Sequence, residues 1–228
     1  MTTPIGGTVG FRDTRAVAIN EAGQIAGTFS NDLNESHVFL WQTGVFTNLS
    51  APATFPTVSA LNDAGKVVGT AIYPDDNLRY PTMWTVFGST RLGTRHGTPA
   101  AINSRGQVLI NTDGPVVTPF IWTDGAETNL DLRTSGGHTT TASALNDLGQ
   151  SAGNSGPFDV SRAVFWNADG SAVDLTGGLL RTTSSTAFGL NNRGQVVGSY
   201  VHGTGETRAV LWTLTWGHSD HVADADPH

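Results

Sequence analysis

The stretch INEAGQIAG at residues 19–27 recurs, with changes, as LNDAGKVVG, INSRGQVLI, LNDLGQSAG and LNNRGQVVG. Its asparagine falls at Asn20, Asn62, Asn103, Asn146 and Asn191, so the spacings are 42, 41, 43 and 45 residues. A glycine follows three residues later each time (Gly23, Gly65, Gly106, Gly149, Gly194). A tryptophan follows 19–22 residues later (Trp41, Trp84, Trp122, Trp166, Trp212). A period of about 40–45 residues restricts a chain to a propeller or a helical array.

The pattern inside each repeat chooses between them. Before each asparagine runs an alternating segment (TRAVAIN, PTVSALN, GTPAAIN, TTASALN, STAFGLN), and after each glycine another short one such as QIAGTF or QVVGSY. A variable loop then leads to HVFLW, YPTMW, TPFIW, RAVFW or RAVLW. These are strand-like segments separated by turn residues. Helical periodicity is absent, and the 28 glycines would each cost about 1 kcal/mol inside a helix. The array is therefore β.

The repeated residues read as scaffold. A type I turn closed by a left-handed residue makes a bulged hairpin, and glycine takes that conformation without steric cost. Asparagine at the first turn position bonds backbone N–H groups a little further along the chain. Each tryptophan buries ~200 Å² worth at most ~5 kcal/mol, which explains its recurrence by packing between sheets. Thr57, Thr98, Thr141 and Thr186, five residues before the asparagine, are expected to satisfy local polar groups, the indole N–H among them.

The pattern A-[IL]-N-x-x-G-Q-x-x-G followed by F-L-W resembles the HAF-repeat family of bacterial proteins. It is also similar to the WD-type blade. The resemblance spans residues 3–216 and implies an all-β, five-bladed β-propeller with four antiparallel strands per blade. Outer strands are read in VFTNLS, STRLGT, ETNLDLR and SAVDLT. These supply four blades, so the N-terminal residues 5–11 are expected to pair with RAVLWTL and close the last blade, with LTWGH as the competing segment. The propeller domain then covers 1–217, and 218–228 (HSDHVADADPH) reads as a disordered tail whose histidines are solvated.

Charge and composition exclude several functions. Twelve basic and 19 acidic residues give a net charge of −7, and Lys66 is the single lysine. Such a chain lacks the field that nucleic acid or an anionic membrane surface requires. With no cysteine, disulfides, thiolate metal sites and cysteine nucleophiles are excluded. No basic-then-apolar leader opens the sequence and no run of ~18 apolar residues occurs. The expectation is a soluble, cytoplasmic, monomeric protein. Eleven arginines against one lysine suggest a GC-rich bacterial coding bias.

Function belongs to positions that break the repeat, because a site is asymmetric and the frame is not. The loops between second and third strands and the loops leading into each inner strand are expected at one end of the channel, forming a locally basic mouth. Candidate acid–base residues there are His37, Tyr80, His96, His138 and His202. Candidate ligand-binding residues are Arg15, Arg79, Arg95, Arg162, Arg208 and Tyr200. The adjacent acids Asp75 and Asp76 read as solvated, and Arg91 is placed in an outer strand. No phosphate-loop, dinucleotide, zinc-protease or nucleophile-elbow motif is present, so neither a cofactor nor a metal is expected. The leading expectation is a small-molecule or glycan binder with one site at the channel mouth. A cofactor-independent cyclase, lyase or isomerase of bacterial specialised metabolism is the alternative, and a protein-interaction scaffold is a third.

Overall fold

In the computed structural model, the strands form five four-stranded sheets, one per repeat. The structure describes residues 5, 12–49, 54–131, 139–156, 160–179, 181–214 and 222–223. The first sheet runs β1 (Arg12–Ile19), β2 (Ile25–Ser30), β3 (Ser36–Gln42) and β4 (Val45–Asn48). The second is β5 (Thr54–Leu61), β6 (Val67–Tyr73), β7 (Leu78–Thr85) and β8 (Gly88–Arg91). The third is β9 (Gly97–Ile102), β10 (Val108–Thr112), β11 (Phe120–Thr123) and β12 (Ala126–Asn129). The fourth is β13 (Thr139–Leu145), β14 (Ser151–Gly156), β15 (Arg162–Trp166) and β16 (Ala172–Asp174). The fifth is β17 (Thr182–Leu190), β18 (Gln195–His202), β19 (Thr207–Thr213) and β20 (Val222–Ala223). One turn of 3-10 helix, Leu175–Gly178, follows β16. No helix among the described residues is long and apolar enough to cross a membrane.

The chain divides into two compact units. One is Met1–Ile110 with Trp122–Ala126, the other Asn111–Ile121 with Glu127–His228. In the first unit, Ala26, Val38 and Leu40 pack with Val67, Ala71 and Trp84. In the second, Ala152, Ala163 and Phe165 pack with Ala187, Val196 and Trp212. Trp84, Trp122, Trp166 and Trp212 are all buried, as a packing role requires.

The repeated turn does what its residues dictate. In the second repeat the Gly65 N–H donates to the Asn62 carbonyl, and the Asn62 N–H donates to the Lys66 carbonyl. All five turn glycines are left-handed, with φ between 71° and 83°. The asparagine side chain does more than the sequence suggests. Oδ1 of Asn62 accepts from the Ala64 and Lys66 N–H groups, while its Nδ2 donates to the Asn103 carbonyl at 2.9 Å. Asn20 donates likewise to the Asn62 carbonyl, and Asn146 to the Asn191 carbonyl. One side chain thus folds its own turn and ties it to the next.

Two expectations are corrected. The strand beside β19 at Leu211 and Trp212 is β20, paired at Leu211↔Ala223 and Trp212↔Val222, within the segment expected to be a disordered tail. A return of about ten residues closes with less entropy loss than a pairing across the whole chain. Residues 6–11, LTWGH from Thr215 onward and the tail apart from 222–223 lie outside the described residues. Nor does the Thr57 hydroxyl serve an indole. It bonds the Thr70 hydroxyl at 2.8 Å, while the Trp166 indole N–H donates to the Asp131 carbonyl at 2.9 Å.

Candidate functional site

The third-strand position four residues before each tryptophan is held by His37, Tyr80, Thr118, Arg162 and Arg208. Its neighbour on the second strand is equally variable. Cross-strand partners are Phe29↔His37, Ala71↔Tyr80, Ser155↔Arg162 and Tyr200↔Arg208. The scaffold thus presents one structural position with a different pair in four of the five sheets, as an asymmetric site requires.

The pair in the second sheet has the richest surroundings. Ala71 opposite Tyr80 is small, and the phenol ring is covered instead by two longer groups. The guanidinium of Arg91 lies 3.2 Å from the ring centroid, and the imidazole of His96 stacks on the ring at 4.5 Å between centroids. Tyr73 meets Tyr80 edge-on at 6.0 Å. The Tyr80 hydroxyl donates to Oδ2 of Asp76 at 2.6 Å, and Arg91 Nη1 stands 3.7 Å from both Asp75 and Asp76 carboxylates.

Local structure explains how these residues meet. Asp76 sits in the turn joining β6 to β7, where its Oδ1 accepts from the Leu78 N–H. That turn brings the carboxylate within hydrogen-bond reach of the Tyr80 hydroxyl. His96 lies in the loop leading into β9, and its Nδ1 is 2.9 Å from the Arg79 carbonyl. Arg79 Nη1 donates to the Thr70 hydroxyl at 2.8 Å and to the Phe55 carbonyl at 3.2 Å. The hairpin between second and third strands therefore meets the loop before β9 and the segment opening β5, as the sequence predicted for one end of a blade.

The electrostatics follow from these contacts. The hydrogen bond from Tyr80 holds the Asp76 carboxyl below its usual range, with Arg91 and His96 adding to the effect. The same hydrogen bond, with burial, pushes the Tyr80 phenol up. Burial raises Tyr73. At neutral pH the site thus holds an ionised Asp76 against a neutral phenol that is its hydrogen-bond donor. A carbonyl oxygen can only accept, so the Arg79 contact is donated by Nδ1 of His96, whose ring is exposed.

The other candidates divide as follows. His37 stacks on Phe29 at 5.0 Å, with Nε2 4.0 Å from Glu35. Its Nδ1 is buried without a hydrogen-bond partner among the described residues, so it lacks the orienting contact that His96 has. Arg15 is exposed on β1, and Arg95 is half-buried in the loop before β9. His202 is spent within its own turn, where Nδ1 accepts from the Thr204 N–H. Arg162 donates to the Thr176 hydroxyl at 3.1 Å and faces Asp174 at 3.9 Å. Arg208 pairs with Glu206 at 3.0 Å and bonds Tyr200, which is itself buried in the core. His138 lies outside the described residues.

Arg12, Arg91, Arg162 and Arg208 each lie within 4.0 Å of an acidic side chain. Sequence reasoning missed Arg91 and Asp76, which it left as an outer-strand residue and a solvated acid. The available signal was alternation: Arg91 pairs with Thr82, and Thr82 shares a face with Tyr80 two residues before it. No group of three or more His, Asp or Glu residues among those described could hold a metal ion.

No family model matches the chain, and no curated protein does. Several solved structures are similar. TolB from Acinetobacter baumannii is 14% identical over 88% of this chain and 54% of that chain, with a TM-score of 0.51. An acylaminoacyl peptidase from Pyrococcus horikoshii is 13% identical over 91% and 39%, with a TM-score of 0.52. The beta-propeller domain of the Trilobed protease from Pyrococcus furiosus is 10% identical over 89% and 81%, with a TM-score of 0.39. The chain spans about half, or less, of the length of the first two. Five four-stranded antiparallel sheets, one per repeat, fit a propeller-like fold, and the likeness to TolB and the peptidase is one of fold alone.

Proposed function

We propose that this chain is a ligand-binding propeller of the HAF-repeat type, each repeat one blade, with a single asymmetric site for a small molecule or glycan on the second repeat. The observation that carries this reading is the stack of Arg91 and His96 on Tyr80, tied to Asp76. These four side chains occur in this combination in one repeat of five, where two loops meet. Flat aromatic and guanidinium surfaces flanked by fixed donors and acceptors suit a sugar ring or a planar molecule. The repeat-invariant residues are used up in turns and packing, which supports a site built from the residues that vary.

The test is saturation-transfer NMR with a panel of monosaccharides and planar aromatic acids. His96→Ala abolishes the transfer seen with the wild-type chain and leaves the melting temperature unchanged, while Arg208→Ala in the fifth sheet keeps it. Binding that survives His96→Ala and vanishes with Arg208→Ala places the site elsewhere and sinks the reading.

A second reading, cofactor-independent acid–base catalysis, rests on one observation: Nδ1 of His96 is held 2.9 Å from the Arg79 carbonyl, which orients the exposed imidazole. On this reading His96→Gln retains ligand binding and loses turnover. Equal turnover in both proteins removes it.

A further inference from the structure

Arg79 differs from the arginines that pair with acids. Arg12, Arg91, Arg162 and Arg208 each have an acidic partner, whereas half-buried Arg79 forms no ion pair among the described residues. Its guanidinium is held all the same. Nη1 donates to the Thr70 hydroxyl at 2.8 Å and to the Phe55 carbonyl at 3.2 Å. Thr70 is buried, and its hydroxyl is fixed in turn by the Thr57 hydroxyl at 2.8 Å. A guanidinium carries five N–H donors. These two bonds use both hydrogens of Nη1, which leaves the Nε–H and the Nη2 hydrogens with no acceptor among the described residues. That edge presents two parallel N–H groups, the geometry that matches both oxygens of a carboxylate.

Two rings flank this arginine. Phe55 and His96 hold the same place in their repeats, seven residues before Asn62 and Asn103. His96 donates from Nδ1 to the Arg79 carbonyl, and the Phe55 carbonyl accepts from the Arg79 side chain. One contact fixes the backbone of Arg79 and the other fixes its head. All of these residues belong to the first unit. The Phe55 ring takes no part in holding Arg79 and is 65% exposed. Its backbone is left-handed, with φ of 48°, and Asp13 at the same place in the first repeat has φ of 46°. Aspartate tolerates that region, whereas a bulky phenylalanine is an outlier in it. An exposed aromatic ring on a backbone that disfavours it is not placed there by packing, and strain of this kind gathers at ligand contacts.

We propose that Arg79 binds the carboxylate of a ring-bearing acid whose ring lies against Phe55. The proposal rests on the second repeat being the ligand site, and it adds that the ligand is an anion. Nε and Nη2 of Arg79 take the two carboxylate oxygens, and Phe55 supplies the apolar surface beside them. Charge balance agrees with this assignment. Arg91 already stands between the Asp75 and Asp76 carboxylates, so of these two arginines it is Arg79 that meets an incoming anion.

Saturation-transfer NMR titrations of the full chain test this with two matched pairs, benzoate with benzamide and glucuronate with glucose. At least one acid gives transfer, and its neutral partner binds at least about tenfold more weakly, as loss of a charge-assisted contact requires. The pair that shows the difference tells an aromatic acid from a uronic acid. Arg79→Gln weakens the acid by about tenfold or more and leaves the neutral compound unchanged. Phe55→Gly also weakens the acid but raises the melting temperature, because glycine takes the left-handed backbone without steric cost. A purely structural phenylalanine gives no such split. If an acid and its neutral partner bind alike and both are lost with His96→Ala, the site stands and the carboxylate proposal falls. Acid-selective binding that survives Arg79→Gln undiminished also overturns it. No transfer from any of these compounds removes the site and the proposal together.

Discussion

Oδ2 of Asp76 accepts the hydroxyl hydrogen of Tyr80 at 2.6 Å, and the bond joins a hairpin turn to the strand that leaves it. The contact sets the charge of both partners. It favours the carboxylate of Asp76 and the neutral phenol of Tyr80 together, and it holds the phenol still while Arg91 and His96 stack on its ring. A ring fixed at its hydroxyl and packed by a cation and an imidazole is a preorganised surface, and preorganisation lowers the entropy cost of binding.

The pair should give stability a two-sided pH dependence. The pKa of Asp76 is lowered in the folded chain, so its contribution is complete above the ordinary value of 3.8 and is lost as pH falls through the lower, folded value. The pKa of Tyr80 is raised, so its contribution is complete below the ordinary 10.0 and is lost as pH rises through the higher, folded value. The stability difference between the wild-type chain and Tyr80→Phe should therefore be largest at neutral pH and shrink toward both extremes in thermal melts. In Asp76→Asn, ultraviolet titration should show a tyrosine ionising at lower pH than in the wild type. A difference that is flat across the whole pH range contradicts the linkage.

Arg91 should be replaceable by neither lysine nor alanine. A guanidinium is flat and weakly hydrated and lies on an aromatic face, whereas an ammonium keeps the charge and loses the plane. Stacking of this kind contributes about 0.5–2 kcal/mol. Arg91→Ala should lower the unfolding free energy by about 1–2 kcal/mol in urea titrations, with Arg91→Lys recovering less than half. Ligand affinity should fall in both variants, because the Tyr80 ring loses one of its two covers. Arg91→Lys behaving as the wild type would assign the contact to charge alone.

The frame was legible because it is written five times. Asn20 to Asn191 in register, with a glycine at the third residue after each, permits one turn chemistry and one strand order. The site was legible only in part, since Tyr80, His96 and Arg79 break the repeat, but what joins them does not show in spacing. Arg91 reaches Tyr80 because antiparallel register brings β8 beside β7, and Asp76 reaches it because a turn doubles back. Both depend on side-chain direction rather than on sequence distance. The closing strand misled for a related reason: several short segments share the composition of an outer strand, and β20 occupies the edge with two residues.

The second glycine of the repeat should be less tolerant than the turn glycine. Gly69 lies on β6 opposite the bulge between Val58 and Ala60, and a Cβ there would collide with the carbonyl oxygen of Thr57. Backbone has to move to admit it. Gly23 has open space around its Cβ position and only its φ of 71° to oppose a side chain. Gly23→Ala should cost about 1 kcal/mol. Gly69→Ala should cost more than about 3 kcal/mol or prevent folding, since core strain of this kind has no flexible neighbour to absorb it. Chemical denaturation of the two variants distinguishes them, and equal losses would mean that the bulge adapts.

Asn62 and Asn191 occupy the same place in their repeats but should not be equally costly to lose. Both accept two turn N–H groups on Oδ1. Asn62 is also buried and donates across to the Asn103 carbonyl, so alanine there removes a tie between sheets and strands a buried acceptor as well. Buried groups left unpaired cost about 1–3 kcal/mol each, whereas exposed ones are rescued by water. Asn62→Ala should therefore lower the unfolding free energy by about 3 kcal/mol or more, and Asn191→Ala by about 1 kcal/mol. Urea titrations measure the difference directly, and a gap that is absent would show that the asparagines act on their turns alone.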